Sequence, residues 1–476
     1  MTQVLRWLRY LRSCPARLLA RASNWFWPPD VKGEPAPNGE KIALLVLIIV
    51  AGFSIAVAYH YVMGYYLDRS WPANTFLFVP GDRFLDFKLV VQQSAALDPF
   101  GEDIGGFAGA PFAQLVGYLF SVIQPASLRL PIFFGSFFVV FIPMVKHYLY
   151  GLKARPSLHR SIPLFALVFL TYPVLFALDR ANFDILVCAS LLLFAFMYQR
   201  QKHTASTVFL ALAIALKPYT IVLAMVYMFD KRYRHFVLVL CGALFLSALS
   251  LSLFKDGLLV EAQKYLSALS QTTTHLSGGS LQQYTSDLYG LLTAVIKSIG
   301  DALGIDSSAT TMYLPAHPAA TMAYTLVAVV VLIYFVIYLW KEPHPLWRAL
   351  AVLTILLILL PFNSGDYRLI YLFVPMLMYM AIREKTRYGL LIVVLWGLLL
   401  VPKNYYPLHL APTGYYSYTL HQTIGMVINP LLLMGLLICI VPDAFSTKGM
   451  ASTLRFAYTR LRSIGRIRKL ENPRSS

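Results

Sequence analysis

Asp82 and Asp86 stand four apart in Gly81-Asp82-Arg83-Phe84-Leu85-Asp86-Phe87-Lys88. The chain has only 22 acidic residues in 476, so two in one short stretch stand out. If the stretch is helical they share a face. A carboxylate at a membrane surface can take the proton from an acceptor hydroxyl. Two further groups mix acids with cations, Asp179-Arg180-Ala181-Asn182 with Asp184 and Asp366-Tyr367-Arg368, and a lone cation, Lys217, stands ahead of Pro218. Carboxylates opposed by Arg and Lys suit a reaction with a general base and an anionic leaving group, a phosphate above all. Each group also has a plainer reading. A loop acid is most often just solvated, Asp179-Arg180 could cap two spans, and Lys217 could reach a lipid headgroup. His409 and His421 read as surface histidines.

The elements that must hold these groups are membrane helices. The chain is 58% hydrophobic and 13% charged, against about 25% charged for a soluble domain. Apolar runs near bilayer length recur at about 41–64, 130–147, 161–177, 183–198, 236–254, 319–340, 349–362, 369–382, 388–402 and 425–442. The first has no cleavage-site pattern and reads as an anchor. Residues 204–229 differ, because Lys217-Pro218 interrupts them. Pro breaks a helix and a central Lys is costly in lipid. The expectation is therefore two short helices that meet at Lys217-Pro218 and return to one side, next to Lys231, Arg232 and Arg234. The positive-inside rule then sets the remaining loops.

The fold class expected is an all-α polytopic membrane protein with roughly 11–13 membrane segments. A basic cytoplasmic segment, 1–40, precedes a transmembrane module, 41–442, and a basic cytoplasmic tail, 443–476, follows. The first extracytoplasmic loop, 65–127, carries short helices, and a long loop spans 255–317. All the ionisable groups above, with Lys403, then face the extracytoplasmic side of a bacterial inner membrane. Tyr405, Tyr406, Tyr415 and Tyr416 suit the headgroup zone there.

The net charge of +18 is concentrated at the two ends, which flank spans. That pattern fits membrane lipids as partners and not nucleic acid. The four cysteines make neither a metal spacing nor a disulfide framework. The sequence has no Gly-Lys-Ser phosphate loop and no nucleotide-binding glycine fingerprint. No cofactor and no metal are called for. An enzyme acting on the outer face needs a donor already present there, and a sugar carried on a lipid phosphate meets that need.

These residues resemble the GT-C superfamily of polyprenyl-phosphate-dependent glycosyltransferases, and most closely glycosyltransferase family 87, the polyprenol-phosphate-mannose-dependent mannosyltransferase type. The likeness runs over about 80–440. It is carried by Asp86-Phe87 with Asp98-Pro99-Phe100, by Asp179-Arg180-Ala181-Asn182-Phe183-Asp184, by the small-residue run Ala211–Leu216 closing on Lys217-Pro218-Tyr219, and by Asp366-Tyr367-Arg368-Leu369. Ser286-Asp287-Leu288-Tyr289-Gly290 is a further, looser match. Ala181 stands where the family often has Gly.

The resemblance implies an inverting transferase that moves mannose or another hexose or pentose from a polyprenyl-phosphate donor to a lipid or glycan hydroxyl. A first-loop Asp serves as base: Asp86 on the family pattern, with Asp82 the alternative. Arg180, Lys217 and Arg368 are the expected cations for the donor phosphate. Asp179, Asn182, Asp366 and Tyr367 are expected to bind sugar or orient those cations. The rival readings are a lipid-linked sugar flippase or transporter, and an outer-face glycan polymerase or ligase fed by a lipid diphosphate.

Overall fold

The structure, a computed structural model, describes residues 38–101, 109–151, 158–277, 285–302, 318–362, 364–382, 388–405 and 424–471. The expected basic segment before residue 38, together with His409, His421, Tyr406, Tyr415 and Tyr416, lies outside them. The described residues are helical, with one isolated bridge between Thr285 and Gly365. The protein is thus an all-α polytopic membrane protein.

Among the described residues four helices are long and apolar enough to cross a bilayer: Gly39–Tyr66, Ala126–Tyr150, Tyr233–Leu253 and Ala319–Lys341. The pair Ser161–Phe169 and Tyr172–Arg180 bends by 50°, where Thr171 leaves helical geometry and Pro173 opens the next helix. Several apolar segments are shorter, among them Leu346–Leu359, Gly389–Leu400 and Ile424–Ile440. These fall short of the ~20 residues a lone span needs. The first of them is enclosed by protein, buried without a break from Ala349 to Leu359, and the other two are buried along one side. Irregular backbone at membrane depth is tolerated only under such cover.

The helices that hold the candidate site are α1 (Gly39–Tyr61), α2 (Leu85–Ser94), α3 (Pro111–Ser121), α4 (Arg129–Tyr150), α5 (Leu158–Phe169), α6 (Tyr172–Arg180), α7 (Asp184–Gln199) and α8 (His203–Leu216). The 3-10 turn Pro218–Ala224 and α9 (Met225–Phe229) follow. The two short helices α2 and α3 form the first loop's helical part.

The segment 204–229 turns back at Lys217-Pro218. A residue before Pro is driven out of helical geometry, and Lys217 is extended at φ −145°, ψ 97°. The hydroxyl of Tyr227 on α9 lies 2.6 Å from that of Ser206 at the start of α8. The two arms therefore begin and end together, as a re-entrant pair must. Their tip meets the amino-terminal end of α7. At the opposite end of α7, Tyr198 bonds Asp230 just beyond α9. Sixteen residues of helix put these two ends about 24 Å apart.

The rest of the chain is α10 (Tyr233–Leu253), α11 (Gly257–Ser277), α12 (Leu288–Ala302), α13 (Pro318–Lys341), α14 (Leu346–Leu359), the 3-10 turn Asp366–Leu372, α15 (Phe373–Ala381), α16 (Gly389–Leu400), α17 (Ile424–Ile440) and α18 (Thr447–Glu471).

Candidate active site

Asp86 is placed by its neighbour. Phe87 is buried among the rings of Phe120, Phe133 and Phe183, with centroids 4.8–6.4 Å away. That anchor turns Asp86 toward the α6–α7 corner. There the Asp86 carboxylate pairs with the Arg180 guanidinium through one oxygen. Its other oxygen accepts from Asn182 Nδ2 at 2.6 Å. The corner is rigid for local reasons. Ala181 takes the left-handed conformation that closes a helix, and the Asn182 amide donates to Ala177 O across it at 3.0 Å. Asn182 Oδ1 accepts the Asp184 amide at 2.9 Å, satisfying a free donor at the start of α7. The Arg180 guanidinium also lies over the Phe78 ring, 4.1 Å from its centre.

Asp184 is completely buried. Lys217 Nζ stands 3.3 Å from its Oδ2. Tyr219 donates to its Oδ1 at 2.5 Å, and Tyr371 donates to the same oxygen. The two tyrosine hydroxyls are 3.1 Å apart. A helix amino terminus favours a carboxylate, and a helix carboxyl terminus favours Lys217, so both charges sit where the backbone supports them. Arg368 lies over the Tyr219 ring at 4.2 Å. Tyr367 is within electrostatic range of Arg368, Lys217, Asp184 and Asp86.

Asp86 and Lys217 are thus joined through Asn182 and Asp184 and occupy the same end of the molecule. Two nitrogens of Arg368, Nε and Nη1, and Nη1 of Arg180 are shielded from solvent with no hydrogen-bond partner among the described residues. Buried guanidinium donors without partners are costly, and an anion with several oxygens would satisfy them.

The structure gives Asp179 and Asp366 different surroundings from the other expected site residues. Asp179 Oδ2 accepts from the Phe78 amide at 3.1 Å, and its Oδ1 stands 3.6 Å from Arg83. Its backbone oxygen accepts the Phe84 amide at 2.8 Å. It thereby ties the first loop to the end of α6. Asp366 is buried and accepts from Tyr172 at 2.9 Å, Ser286 at 2.5 Å and Asn429 at 3.4 Å. Beside it, Asp287 accepts the amides of Gly290 and Ser364, each at 2.6 Å. This polar knot, made partly by the Ser286–Gly290 segment, fixes the turn that carries Tyr367 and Arg368. Gly365 is required there, since a Cβ would stand 2.6 Å from the Tyr367 ring. Asp82 ends the 3-10 turn Pro80–Asp82, its amide donating to Val79 O at 3.0 Å, and its carboxylate has no ion-pair or hydrogen-bond partner among the described residues.

Three contributors were not assigned roles from spacing: Asp184, Tyr219 and Tyr371. The available signal was their place in the same short motifs, Tyr219 two residues after Lys217 and Tyr371 three after Arg368. A separate acidic group, Asp98, Asp256 and Glu261, lies together where the segment after α2 meets the start of α11. The Lys264 ammonium already sits among them, 2.8, 2.5 and 3.2 Å from the three carboxylates. Its hydrogen bond holds the Asp98 carboxyl below the usual carboxylate range. This knot joins the segment after α2 to the start of α11.

The fold and this end cluster describe a polytopic helical membrane protein whose cations and carboxylates meet at one end of the helix bundle. The sequence model of glycosyltransferase family 87 matches residues 107–361, more than half of the chain. The chain belongs to that family and is a membrane glycosyltransferase. Arg180, Asn182, Asp184 and Lys217 fall inside the matched region, whereas Asp86 and Arg368 flank it. No curated protein and no solved structure matches the chain.

Proposed function

We propose that the protein transfers a sugar from a polyprenyl-phosphate donor to a hydroxyl of a lipid or glycan acceptor on the extracytoplasmic face, with inversion at the anomeric carbon. The donor enters from the outer leaflet of the inner membrane. Asp86 takes the acceptor's proton, the acceptor oxygen attacks the anomeric carbon, and the bond from that carbon to the phosphate oxygen breaks. The electron pair leaves with the lipid phosphate. Arg180, Lys217 and Arg368 receive the developing charge, which pre-placed cations stabilise more in the transition state than before it. Asn182 orients Asp86, and Tyr367, within electrostatic reach of Asp86, Lys217 and Arg368, meets the sugar. Mannose fits the family resemblance as the transferred sugar.

The observation that carries this reading is the charge balance of the cluster. Arg180, Lys217 and Arg368 face Asp86 and Asp184, while the Arg83–Asp179 pair cancels itself. Counting these five groups, one positive charge is left over, in a place where burial raises the cost of an uncompensated charge; Asp287, also within reach of Arg368, is already engaged by the Gly290 and Ser364 amides. A sugar phosphodiester carries one negative charge and balances it. After transfer, Asp86 holds a proton and the lipid phosphate monoester carries up to two charges, so the balance is kept through the reaction. A diphosphate donor brings more negative charge than the cluster offers, which favours transfer over the diphosphate-fed polymerase or ligase reading.

The test is purified protein with radiolabelled polyprenyl-phosphate sugars, the matching polyprenyl-diphosphate sugars and a membrane lipid extract. Label should move from a monophosphate donor alone. Transfer from diphosphate donors only, or from neither class, would overturn the proposal.

A further inference from the structure

The end of the molecule opposite Asp86 carries a helix that no part of the sugar chemistry uses. α17 starts at the site end, where the Ile424 amide donates to Tyr405 O at 3.2 Å and Asn429 reaches Ser286 at 3.0 Å. It finishes at Ile440 on the far side. The short turn Pro442–Phe445 follows, and α18 begins at Thr447. So few residues cannot carry α18 more than roughly 25 Å from the membrane exit.

Three contacts hold α18 and the turn before it against the end of α13. Tyr334 donates to Ala444 O. Lys341 Nζ donates to Ser452 Oγ at 2.6 Å. The rings of Trp340 and Phe456 are 6.5 Å apart. Among the described residues α13 is one of four helices long and apolar enough to span a bilayer, so α18, packed on its last turns just after the exit of α17, is held at the membrane surface.

The faces of α18 agree with that placement. Thr453 is buried toward α13, on the side of Ser452 and Phe456. Met450, Leu454 and Tyr458, spaced by four, form an exposed stripe, with Leu454 64% and Tyr458 65% exposed. Lys448 and Arg455 are exposed along its edge. From Thr447 to Glu471 the sequence holds seven Lys or Arg and a single acid, Glu471. An apolar stripe edged by cations and held at a membrane surface matches the boundary between anionic headgroups and acyl chains. Nucleic acid would leave the apolar stripe in water.

We infer that α18 is an interfacial helix that binds the anionic phospholipids of the leaflet opposite the catalytic end. This inference stands or falls independently of the sugar-transfer reading. Its test uses the full chain with a carboxyl-terminal tag, in nanodiscs of phosphatidylcholine alone or with about a third phosphatidylglycerol. Trypsin, which cuts after Lys and Arg, is added and release of the tag is timed. Release is expected to be about tenfold slower or more with the anionic lipid, and the protection should shrink in about 0.5 M salt. Leu454→Asp combined with Tyr458→Asp should abolish the protection while the protein keeps its size-exclusion profile. Equal release in the two lipids refutes the inference, and so does full protection in the doubly substituted protein. If that variant does not fold, the comparison of the two lipids on the unaltered chain decides alone.

Discussion

Asp86→Asn is the sharpest perturbation of the cluster, because it changes charge and proton acceptance while keeping shape. In the structure both Asp86 oxygens are in use, one by Arg180 and one by Asn182. The new amide oxygen can still accept from Arg180. The new amide nitrogen would face Asn182 Nδ2, and Asn182 cannot flip without giving up the Asp184 amide. One hydrogen bond is lost and Arg180 loses its counter-charge. The Asp86 side chain is 21% exposed and that of Arg180 11%, so the penalty falls below the 3–5 kcal/mol of a fully buried pair, at about 2 kcal/mol. That is small beside the ~5–15 kcal/mol by which folded proteins are stable, so the variant should purify as a folded protein.

Loss of the base should be far larger in its effect, about 10²–10⁴-fold on turnover, or roughly 3–5 kcal/mol in the barrier. Donor affinity should hold or rise, since the cluster gains one net positive charge. The assay is single-turnover transfer of labelled sugar with saturating polyprenyl-phosphate donor, run beside a donor-binding measurement and a thermal melt. Asp82→Asn serves as the control and should stay within about threefold of the unaltered protein, because the Asp82 carboxylate pairs with none of the cluster's described groups. If Asp86→Asn keeps more than about a tenth of the turnover, or if Asp82→Asn is the one that collapses, the base has been assigned to the wrong residue.

Two further outcomes follow from the backbone. Ala181→Gly should stabilise the protein slightly, by up to about 1 kcal/mol in chemical denaturation, because Ala181 sits at φ 48° where a side chain is strained; lower stability would show that the corner is unstrained. Gly365→Ala should push the Tyr367 ring out of place and cut transfer by about tenfold or more while leaving the α6–α7 corner and its Asp86–Arg180 pair intact, since about 1 Å of misplacement can cost up to ~10²-fold in rate. Unchanged kinetics would remove Tyr367 from the reaction.

Much of this protein was legible in one dimension because a membrane leaves few choices. Every buried backbone group must be satisfied within a helix, so apolar run lengths announce helices. Lys217-Pro218 announced a break for an equally local reason: Pro drives the preceding residue out of helical geometry, and the chain turns back there. Asp86, Arg180, Lys217 and Arg368 stood out because ionisable groups are rare and costly in such a chain, and Asn182 through its place between Arg180 and Asp184.

What the one-dimensional pattern could not supply was the sorting of those groups. Asp179 and Asp366 have the same residue type and similar motif positions as Asp86, yet they are turned toward the Phe78 amide and toward Tyr172, Ser286 and Asn429. Asp184 reads as an ordinary helix start, yet it gathers Lys217, Tyr219 and Tyr371 at the base of the cluster. These outcomes depend on partners as far as 194 residues away along the chain. Helix formation in a membrane is decided within one turn of backbone, and the sequence determines it alone. Which carboxylate meets which cation is decided by packing between helices, and only the tertiary structure contains that.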